Sequence, residues 1–331
     1  MPADLAVAAS DLVKTYPGGV TAVDGVSLAV PAGTVFGLLG PNGAGKSTTV
    51  KILTTLTGAD SGTARVAGLD VAARPDAVRR AVGCVFQKHA VDPEATGREN
   101  LLLQGHLYGL RGAAARARAT ELLDRFGLAD AAGRLVRTWS GGMQRKLDVA
   151  LGLVHRPQVL FLDEPTTGLD PEARAELWTE IGALAHGEGL TVLLTTHYLE
   201  EADRLADRLV IVDRGRVVVE GTPDRLKSEL RGDALAVELA APGPVPALPG
   251  VRELTVDGRL LRARVDDGAR AVPAVLAALE AAGLVAASVT VSRPSLDDVY
   301  LRHTGRSYAV EDPGGPHPAA TPVPATAGVP Q

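Results

Sequence analysis

A glycine-rich segment directly after a short apolar run constrains this chain more than any other feature of its 331 residues. Residues 35–39 predict a buried strand, and residues 40–48 read Gly-Pro-Asn-Gly-Ala-Gly-Lys-Ser-Thr. Glycines allow backbone N–H groups to converge on phosphate oxygens, and a helix that starts at such a loop adds about half a positive charge. A loop of this spacing between a strand and a helix predicts a nucleotide site.

The residues of this loop have distinct expected roles. Lys46 is expected to reach the β- and γ-phosphates, and the Ser47 hydroxyl is expected to ligate Mg²⁺. ATP and Mg²⁺ are therefore the predicted cofactors. The loop alone leaves kinases, GTPases and motor ATPases open, although the chain has no Asn-Lys-x-Asp element to read a guanine base. The predicted nucleotide contacts are Gly40, Pro41, Asn42, Gly43, Ala44, Gly45, Lys46, Ser47 and Thr48.

Two carboxylates at the end of another apolar run narrow these alternatives. Residues 159–162 predict a buried strand, and Asp163 and Glu164 follow it directly. Ligands bind at the carboxyl ends of the strands in open α/β sheets. Asp163 is placed to hold Mg²⁺ through water, and Glu164 is placed to polarise the water that attacks the γ-phosphate. Together with the loop, the pair predicts nucleotide hydrolysis.

The order of apolar runs predicts an α/β fold with two domains and a tail. Alternating strand-like and amphipathic segments over residues 1–231 indicate helices packed on a mixed, largely parallel sheet. The strand pattern disappears at about 97–155, where a helical subdomain is expected. Residues 232–305 predict a small α+β domain. Residues 306–331, rich in Pro and Ala, predict a disordered tail. The predicted core strands are 35–39, 82–86, 159–162, 192–195 and 209–212.

Local signals predict the remaining elements. Thr222 is the expected N-cap of a short helix, and Ser295 is the expected N-cap of a final helix that ends near His303. Three helices are expected in the subdomain, at 98–108, 113–126 and 142–155. The C-terminal domain is expected to contain strands at 251–256, 260–265 and 285–291 and a helix at 272–282.

Residues 139–145 read Trp-Ser-Gly-Gly-Met-Gln-Arg. This segment resembles the signature sequence of the ABC ATPase family, which other phosphate-loop enzymes lack. The resemblance covers residues 4–231, and further motifs of the family fall in order at Gln87, at 168–170 (Gly-Leu-Asp) and at His197. The usual signature is Leu-Ser-Gly-Gly-Gln, so Trp139 and Met143 depart from it. The phosphate-facing residues of the signature match: Ser140, Gly141 and Gly142.

The resemblance implies a composite ATP site. In the family, the signature serine and the helix that follows it face the ATP of the other subunit, so hydrolysis by this chain would need a head-to-tail homodimer. It further implies that Gln87 senses Mg²⁺ and the attacking water, and that Asp170 links the two sites. By the same resemblance, His197 would contact the γ-phosphate.

Adenine recognition is also carried over from the family. Tyr16 matches the aromatic residue that stacks on adenine, with Val23 packed alongside. A buried structural tyrosine is the alternative interpretation of Tyr16.

A finer resemblance identifies a subfamily. Residues 140–148, 197–202 (His-Tyr-Leu-Glu-Glu-Ala) and 294–301 (Pro-Ser-Leu-Asp-Asp-Val-Tyr-Leu) are similar to the bacterial daunorubicin-resistance type of drug-export ATPase. That resemblance implies efflux of a drug or another hydrophobic molecule through an integral membrane permease. A lipid or glycan exporter is the alternative. Ribosomal ABC ATPases have two such domains in one chain, and DNA-repair ABC proteins have a long coiled coil, and neither pattern occurs here.

Composition limits the partners. The net charge is −5, and 34 Lys and Arg are spread among 39 Asp and Glu, so nucleic acid is not an expected partner. No run of about 20 uninterrupted apolar residues occurs, which predicts that the permease is a separate polypeptide. No Cys or His cluster has metal-ligand spacing, which leaves Mg²⁺ brought with ATP. Asp4 stands where a signal peptide would be basic, so we expect a peripheral protein at the cytoplasmic face of the cell membrane.

Overall fold

The computed structural model describes residues 5–230, 232–306 and 308. The strands are β1 (Leu5–Tyr16), β2 (Val20–Pro31), β3 (Val35–Leu39), β4 (Ser61–Val66), β5 (Leu69–Asp70), β6 (Val82–Val85), β7 (Val159–Asp163), β8 (Thr191–Thr196), β9 (Arg208–Asp213), β10 (Arg216–Gly221), β11 (Asp233–Leu239), β12 (Val251–Asp257), β13 (Leu260–Val265) and β14 (Ala286–Ser292). The helices are α1 (Lys46–Leu53), α2 (Pro75–Ala81), α3 (Gly97–Leu107), α4 (Gly112–Arg125), α5 (Gly141–Leu153), α6 (Pro171–Gly182), α7 (Leu199–Leu205), α8 (Pro223–Ser228), α9 (Gly268–Ala281) and α10 (Leu296–Thr304).

A six-stranded sheet forms the centre of the first domain, in the order β10-β9-β3-β8-β7-β6. Strands β6, β7, β8, β3 and β9 run parallel, and β10 joins β9 antiparallel. Every residue of β3, β7 and β8 is buried, as expected for parallel strands covered on both faces. The carboxyl ends of these strands place Gly40, Glu164 and His197 at one edge of the sheet. The predicted α/β fold and all five predicted core strands are confirmed.

A second sheet, antiparallel and in the order β2-β1-β4-β5, covers part of this domain. Its apolar side chains form one core with α1 and the central sheet, including Val7, Leu28, Phe36 and Phe161. Strand β1 was not predicted individually, because its pairing shifts register after Ala9 and the apolar alternation breaks there.

The helical subdomain consists of α3, α4 and α5, and its helix ends fall within two residues of the predicted ends. Leu101, Leu122 and Leu147 are buried between these helices, in the same cluster as Leu160 of β7. The subdomain is therefore packed directly on the sheet.

The C-terminal sheet has the order β12-β13-β11-β14 and is antiparallel. Helix α9 packs on one face through Val275 and Leu279. Strand β11 lies in the interior of this sheet but was not predicted, because its Asp-Ala-Leu-Ala-Val-Glu-Leu sequence is poor in β-branched residues. Helix α9 begins at Gly268 rather than at 272, because the Asp267 carboxylate accepts a hydrogen bond from Arg270 N at 3.2 Å and caps it.

Both predicted N-caps are confirmed. Thr222 Oγ1 accepts a hydrogen bond from Arg225 N at 3.2 Å, and Ser295 forms a capping box with Asp298. The helix that Ser295 starts, α10, buries its apolar side against the first domain, in a cluster that contains Leu296, Val299, Tyr300, Ala202 and Leu226. The chain therefore covers the apolar face of α10 itself.

Most of the predicted tail lies outside the described residues. Arg306 and Tyr308 are described, and they correct the expectation of disorder at these positions: Arg306 pairs with Asp213, and Tyr308 is only 8% exposed. Within the described part of the chain, no helix combines the length and the hydropathy needed to cross a membrane.

Candidate functional site

The glycine-rich loop of residues 40–48 connects the carboxyl end of β3 to α1, as predicted. Gly45 is the N-cap of α1, no side chain caps this helix, and its first turn has no acidic residue, so its N–H groups can receive an anion. Two glycines are required by close packing. A Cβ at Gly40 would lie 2.3 Å from the Val212 carbonyl oxygen, and a Cβ at Gly45 would lie 2.2 Å from that of Ala22.

Lys46 points its ammonium into the loop. Its Nζ donates to the carbonyl oxygens of Gly40 at 2.6 Å and Pro41 at 3.1 Å, and it lies 3.5 Å from Glu164 Oε1. The side chain is only 4% exposed. Burial lowers the pKa of the Lys46 ammonium below its usual value, and the Glu164 and Asp163 carboxylates oppose that shift.

Oxygen atoms suited to Mg²⁺ lie together beside the loop. Ser47 Oγ donates to Asp163 Oδ1 at 3.0 Å, and Thr195 Oγ1 donates to the same oxygen at 2.6 Å. A hydroxyl and a carboxylate from the protein, completed by phosphate oxygens and water, are the ligands that Mg²⁺ prefers in nucleotide sites. Ser47 and Asp163 therefore fit the predicted metal. Residues 5–230, 232–306 and 308 contain no group of three or more His, Cys, Asp or Glu that could hold a metal.

Glu164 lies at the centre of the site, where β7 ends. Its φ of 50° is in the left-handed region, which for a non-glycine residue stores strain that surrounding contacts must hold. Glu164 N donates to the Thr195 carbonyl oxygen at 3.1 Å and to Thr195 Oγ1 at 3.0 Å. Neighbouring strand β8 thus holds the backbone that aims the Glu164 carboxylate.

The predicted Gln87 and His197 both reach this carboxylate. Gln87 Nε2 donates to Glu164 Oε2 at 3.1 Å. His197 Nδ1 lies 3.2 Å from the same oxygen, at ion-pair distance but without the alignment of a hydrogen bond. Burial acts to raise the pKa of Glu164, but His197 and Lys46 outweigh burial, so that this pKa lies below its usual value. The carboxylate is therefore ionised at neutral pH and able to accept a proton.

The signature residues lie away from this cluster, at an exposed helix start. Ser140 is the N-cap of α5, its Oγ accepts a hydrogen bond from Met143 N at 3.3 Å, and Ser140 and Gly141 are exposed. Asp170 is exposed and is the N-cap of α6. The first turn of α6 packs closely against the signature, because a Cβ added at Gly142 would lie only 2.8 Å from the Cβ of Ala173. The structure thus brings the signature and Asp170 to one exposed face of the chain.

Trp139, which replaces the usual leucine of the signature, is packed into the helical subdomain. It is 5% exposed, and its six-membered ring occupies the space in which a Cβ at Gly97 would lie, 2.3 Å from the nearest ring carbon. Because Gly97 is the first residue of α3, the tryptophan connects the start of α3 with the start of α5.

Sequence reasoning missed Arg145, which is 3% exposed. Its guanidinium donates to four carbonyl oxygens, those of Phe86 (2.6 Å), Pro165 (2.7 Å), Glu164 (3.2 Å) and Asp163 (3.3 Å). The residue therefore ties the signature helix to the ends of β6 and β7. Its position three residues after Gly142 was visible in the sequence, but nothing there indicated its partners.

The two predicted adenine contacts differ in exposure. Tyr16, at the end of β1, is partly exposed, with Lys14 Nζ 5.9 Å from its ring centre. Val23 is fully buried in the core beneath the second sheet, so its side chain has no exposed surface here. Tyr16 is thus the available stacking surface of this pair.

Comparisons with known proteins agree with this geometry. Residues 23–167 match the ABC transporter family model, and residues 221–304 match the model of the ATP-binding protein DrrA1-3-like C-terminal domain. The chain is 49% identical over 315 residues to the daunorubicin resistance ATP-binding protein DrrA3 of Streptomyces coeruleorubidus. This alignment covers 94% of this chain and 99% of the relative.

The chain is also 42% identical over 302 residues to the Nod factor export ATP-binding protein I of Paraburkholderia xenovorans. This alignment covers 89% of this chain and 96% of the relative.

A solved structure shares the fold. The ATP-binding cassette MJ0796, a dimer in a post-hydrolysis state bound to ADP and Pi, aligns with a TM-score of 0.60 and 27% identity, covering 65% of this chain and 98% of that one. The match spans the length of one cassette. The chain belongs to the ATP-binding proteins of ABC transporters, in the DrrA group, and is an ABC ATPase.

Proposed function

We propose that this ABC ATPase hydrolyses ATP with Mg²⁺ to power export of a drug or another hydrophobic molecule through a separate membrane permease. The observation that carries the proposal is the convergence of Lys46, Asp163 and Glu164 at the carboxyl edge of one sheet, with Gln87 and His197 on the catalytic carboxylate. Phosphoryl transfer depends on such positioning and charge stabilisation.

Each residue has a role that its contacts support. Glu164 orients the attacking water and accepts its proton, and its lowered pKa keeps the carboxylate in the ionised form that this role requires. Lys46 contacts the β- and γ-phosphates, and Gln87 and His197 hold the Glu164 side chain and face the γ-phosphate. Ser47 and Asp163 would hold Mg²⁺, Asp163 through water. When bound, Mg²⁺ supplies positive charge to the phosphate oxygens.

The exposed signature supports a head-to-tail dimer. Ser140 and Gly141 are exposed at the start of α5 rather than packed against the phosphate loop of their own chain. A helix start of this kind is an anion site. In the proposed dimer, each signature would contact the ATP held by Lys46 of the other subunit, and the exposed Asp170 would lie between the two sites.

A partly apolar groove supports the permease as partner and a peripheral position at the cytoplasmic face of the membrane. Leu56 (58% exposed) and Tyr108 (38%) line it, and Leu103 (57%) and Leu107 (74%) are exposed on α3, the helix that also contributes Gln104 to the lining. The groove has a volume of about 220 Å³ and is lined by Phe86, Gln104 and His155 among others. Phe86 precedes Gln87, so a permease segment bound here would contact the loop that reaches the catalytic carboxylate.

The choice of a drug as cargo is supported by the similarity to DrrA3, whose name records daunorubicin resistance. The similarity to a Nod factor export protein keeps a lipid or glycan as the second candidate. An ABC ATPase without a transport role is the third candidate.

Substitution of Glu164 by Gln tests the hydrolytic assignment. We expect the E164Q protein to retain ATP affinity and to form a stable dimer with trapped ATP, while turnover is abolished. The phosphate contacts survive the substitution, but the water loses its base. Glu229→Gln, at an exposed residue paired with Arg225, is the matched control and should keep wild-type activity. Near wild-type hydrolysis by E164Q would refute the assigned role.

Transport itself is tested in cells that express this chain together with an integral membrane permease taken from the same genome. Daunorubicin retention should fall in these cells and return to the control level with E164Q. Unchanged retention with an active ATPase would contradict the drug assignment and favour the lipid or glycan alternative.

A further inference from the structure

The end of the described chain reaches the nucleotide site of its own ATPase domain. Tyr300 and Tyr308 share a buried cluster with Leu39, the residue before the phosphate loop, and with Ile211 of β9. The two tyrosine rings pack edge to face, with their centres 4.8 Å apart. The backbone N–H of Tyr308 donates to Asp297 Oδ1 at 3.1 Å, which fixes the residue to the start of α10.

Asp213, the last residue of β9, anchors this segment. One guanidinium nitrogen of Arg306 lies 2.6 Å from both Asp213 carboxylate oxygens, and the Tyr300 hydroxyl donates to Oδ1 at 3.3 Å. The Asp213 side chain is only 13% exposed, so water screens the pair less than an open surface pair. The carboxylate therefore receives its contacts from α10 and from the residues just after it.

The turn that follows Asp213 is bonded to the phosphate loop. Gly215 N donates to the Ala44 carbonyl oxygen at 2.9 Å, and the Gly215 carbonyl accepts from Asp24 N at 2.8 Å. Gly215 Cα also lies 3.5 Å from the position that a Cβ on Gly45 would occupy. Asp213 is thus two residues from a direct contact with the loop that receives the ATP phosphates.

Tyr308 extends the same connection to Leu39, the residue before the phosphate loop. Its ring is buried in the cluster that also contains Leu39 of β3 and Ile211 of β9. Its hydroxyl is buried and has no hydrogen-bond partner among the described residues, and burial raises the pKa of Tyr308 far above its usual value. The aromatic ring, rather than the hydroxyl, is therefore the part of Tyr308 that supports the end of β3.

We propose that Arg306 and Tyr308 are positioning residues for ATP binding, which hold the phosphate loop through Asp213 and Leu39. This role adds two residues to the proposed ATP site and rests on that site being where ATP binds. The C-terminal region then supports nucleotide affinity within its own chain. Loss of the Arg306 and Tyr308 contacts changes no residue of α1 or of the phosphate loop, but it removes packing that holds the loop in place. We therefore expect the affinity for ATP to fall more than the rate of hydrolysis at saturating ATP.

The test measures ATP affinity and steady-state ATPase kinetics in the full-length chain. Arg306→Ala should raise Kd and KM for ATP about fivefold, the scale of one well-placed ion pair, with kcat changed less than twofold, that is by about 0.4 kcal/mol or less. Arg302→Ala is the matched control, because Arg302, near the end of α10, has a side chain that is 51% exposed and lies 3.7 Å from Glu253 of the C-terminal domain. It should bind ATP as the wild type does.

Two further variants separate positioning from folding. Tyr308→Ala removes the ring from the cluster with Leu39, so the Kd for ATP should rise in protein that circular dichroism shows to be folded. Arg306→Ala should have no further effect on Kd in an Asp213→Ala background, because Arg306 acts through that carboxylate. An additive effect there would overturn the route through Asp213.

The outcomes distinguish this proposal from the ATP site on which it rests. If Lys46→Ala abolishes binding while folded Arg306→Ala and Tyr308→Ala bind ATP as tightly as the wild type, the positioning role is refuted and the site stands. If Lys46→Ala binds ATP normally, the site itself is wrong. An equal loss of affinity in the Arg302→Ala control would also overturn the positioning role, because the effect would not be specific to the Asp213 contacts.

Discussion

Replacement of Arg145 by Leu should be among the most damaging single changes in the first domain. The side chain is 3% exposed, and its guanidinium makes four hydrogen bonds to carbonyl oxygens that close β6 and β7. It also lies 3.8 Å from the buried Asp148 carboxylate. Leucine fills part of the volume but donates nothing, so these oxygens lose their partner in a region that water does not reach.

The magnitude follows from those contacts. A hydrogen bond from a charged donor contributes about 1.5 to 3 kcal/mol, and breaking a buried ion pair costs about 3 to 5 kcal/mol. The four bonds share one guanidinium and are not additive. We therefore expect the free energy of unfolding to fall by about 4 kcal/mol, a large part of the roughly 5 to 15 kcal/mol that stabilises a typical domain.

Urea unfolding followed by circular dichroism measures this change, and an ATPase assay below the transition measures the site. The turnover of the folded variant should fall about 100-fold, since in the proposed mechanism a small displacement of the backbone of Glu164 would misplace the attacking water. Arg145→Lys keeps one charge-assisted bond and should lose about 2 kcal/mol. Arg156→Leu, at a residue whose side chain is 73% exposed and pairs with Glu121, is the control. It should change stability by less than about 0.5 kcal/mol.

A loss below about 1 kcal/mol for Arg145→Leu, with normal turnover, would refute this reasoning, because it would show that the four carbonyl contacts contribute no more than a surface residue.

The remaining predictions concern the composite site, pH and the chain end. A mixed dimer of Lys46→Ala and Ser140→Arg subunits should trap up to one ATP, because one of its sites combines an intact loop with an intact signature, whereas neither mutant homodimer should trap any. Filter binding of radioactive ATP checks this, and normal trapping by the Ser140→Arg homodimer would contradict it. Burial raises the pKa of Glu201 above its usual 4.5, so the stability linked to its proton is fully present below that value and is lost as pH rises through the folded-state pKa. The urea midpoint of Glu201→Gln should therefore increase relative to that of the wild type as pH rises above 4.5. A constant difference between the two midpoints at all pH values would disprove this. Deletion of residues 312–331 should leave the melting temperature and ATPase rate unchanged, and a fall of several degrees would show that this segment is docked.

The parts of the molecule that follow short-range rules were predictable from sequence. The strand at 35–39 and the helix after Gly45 have a local pattern, and so do the capped helices that start after Thr222 and Ser295. The arrangement of Lys46 and Glu164 was also predictable, since parallel strands bring their carboxyl ends to one edge.

The parts that sequence reasoning missed depend on contacts between distant segments. The partners of Arg145 are carbonyl groups, which every residue has, so no side-chain pattern reveals them. Strand β11 carries few residues that favour strands, and it is held by pairing with β13 and β14 on both sides. Arg306 and Tyr308 lie in a polar, proline-rich region, and their order depends on Asp213, 93 positions away from Arg306 in the chain.

The packing of Trp139 on Gly97 has an evolutionary consequence. A side chain at position 97 and an indole at position 139 cannot occupy the same space, since the Cβ would lie 2.3 Å from the ring. With the indole packed in this way, we expect glycine at the start of α3 to precede tryptophan in the signature, and a later change at 97 to follow a smaller residue at 139. The order in which these two substitutions arise is thus set by sterics, and the pair should be inherited together among relatives that have the tryptophan form of the signature.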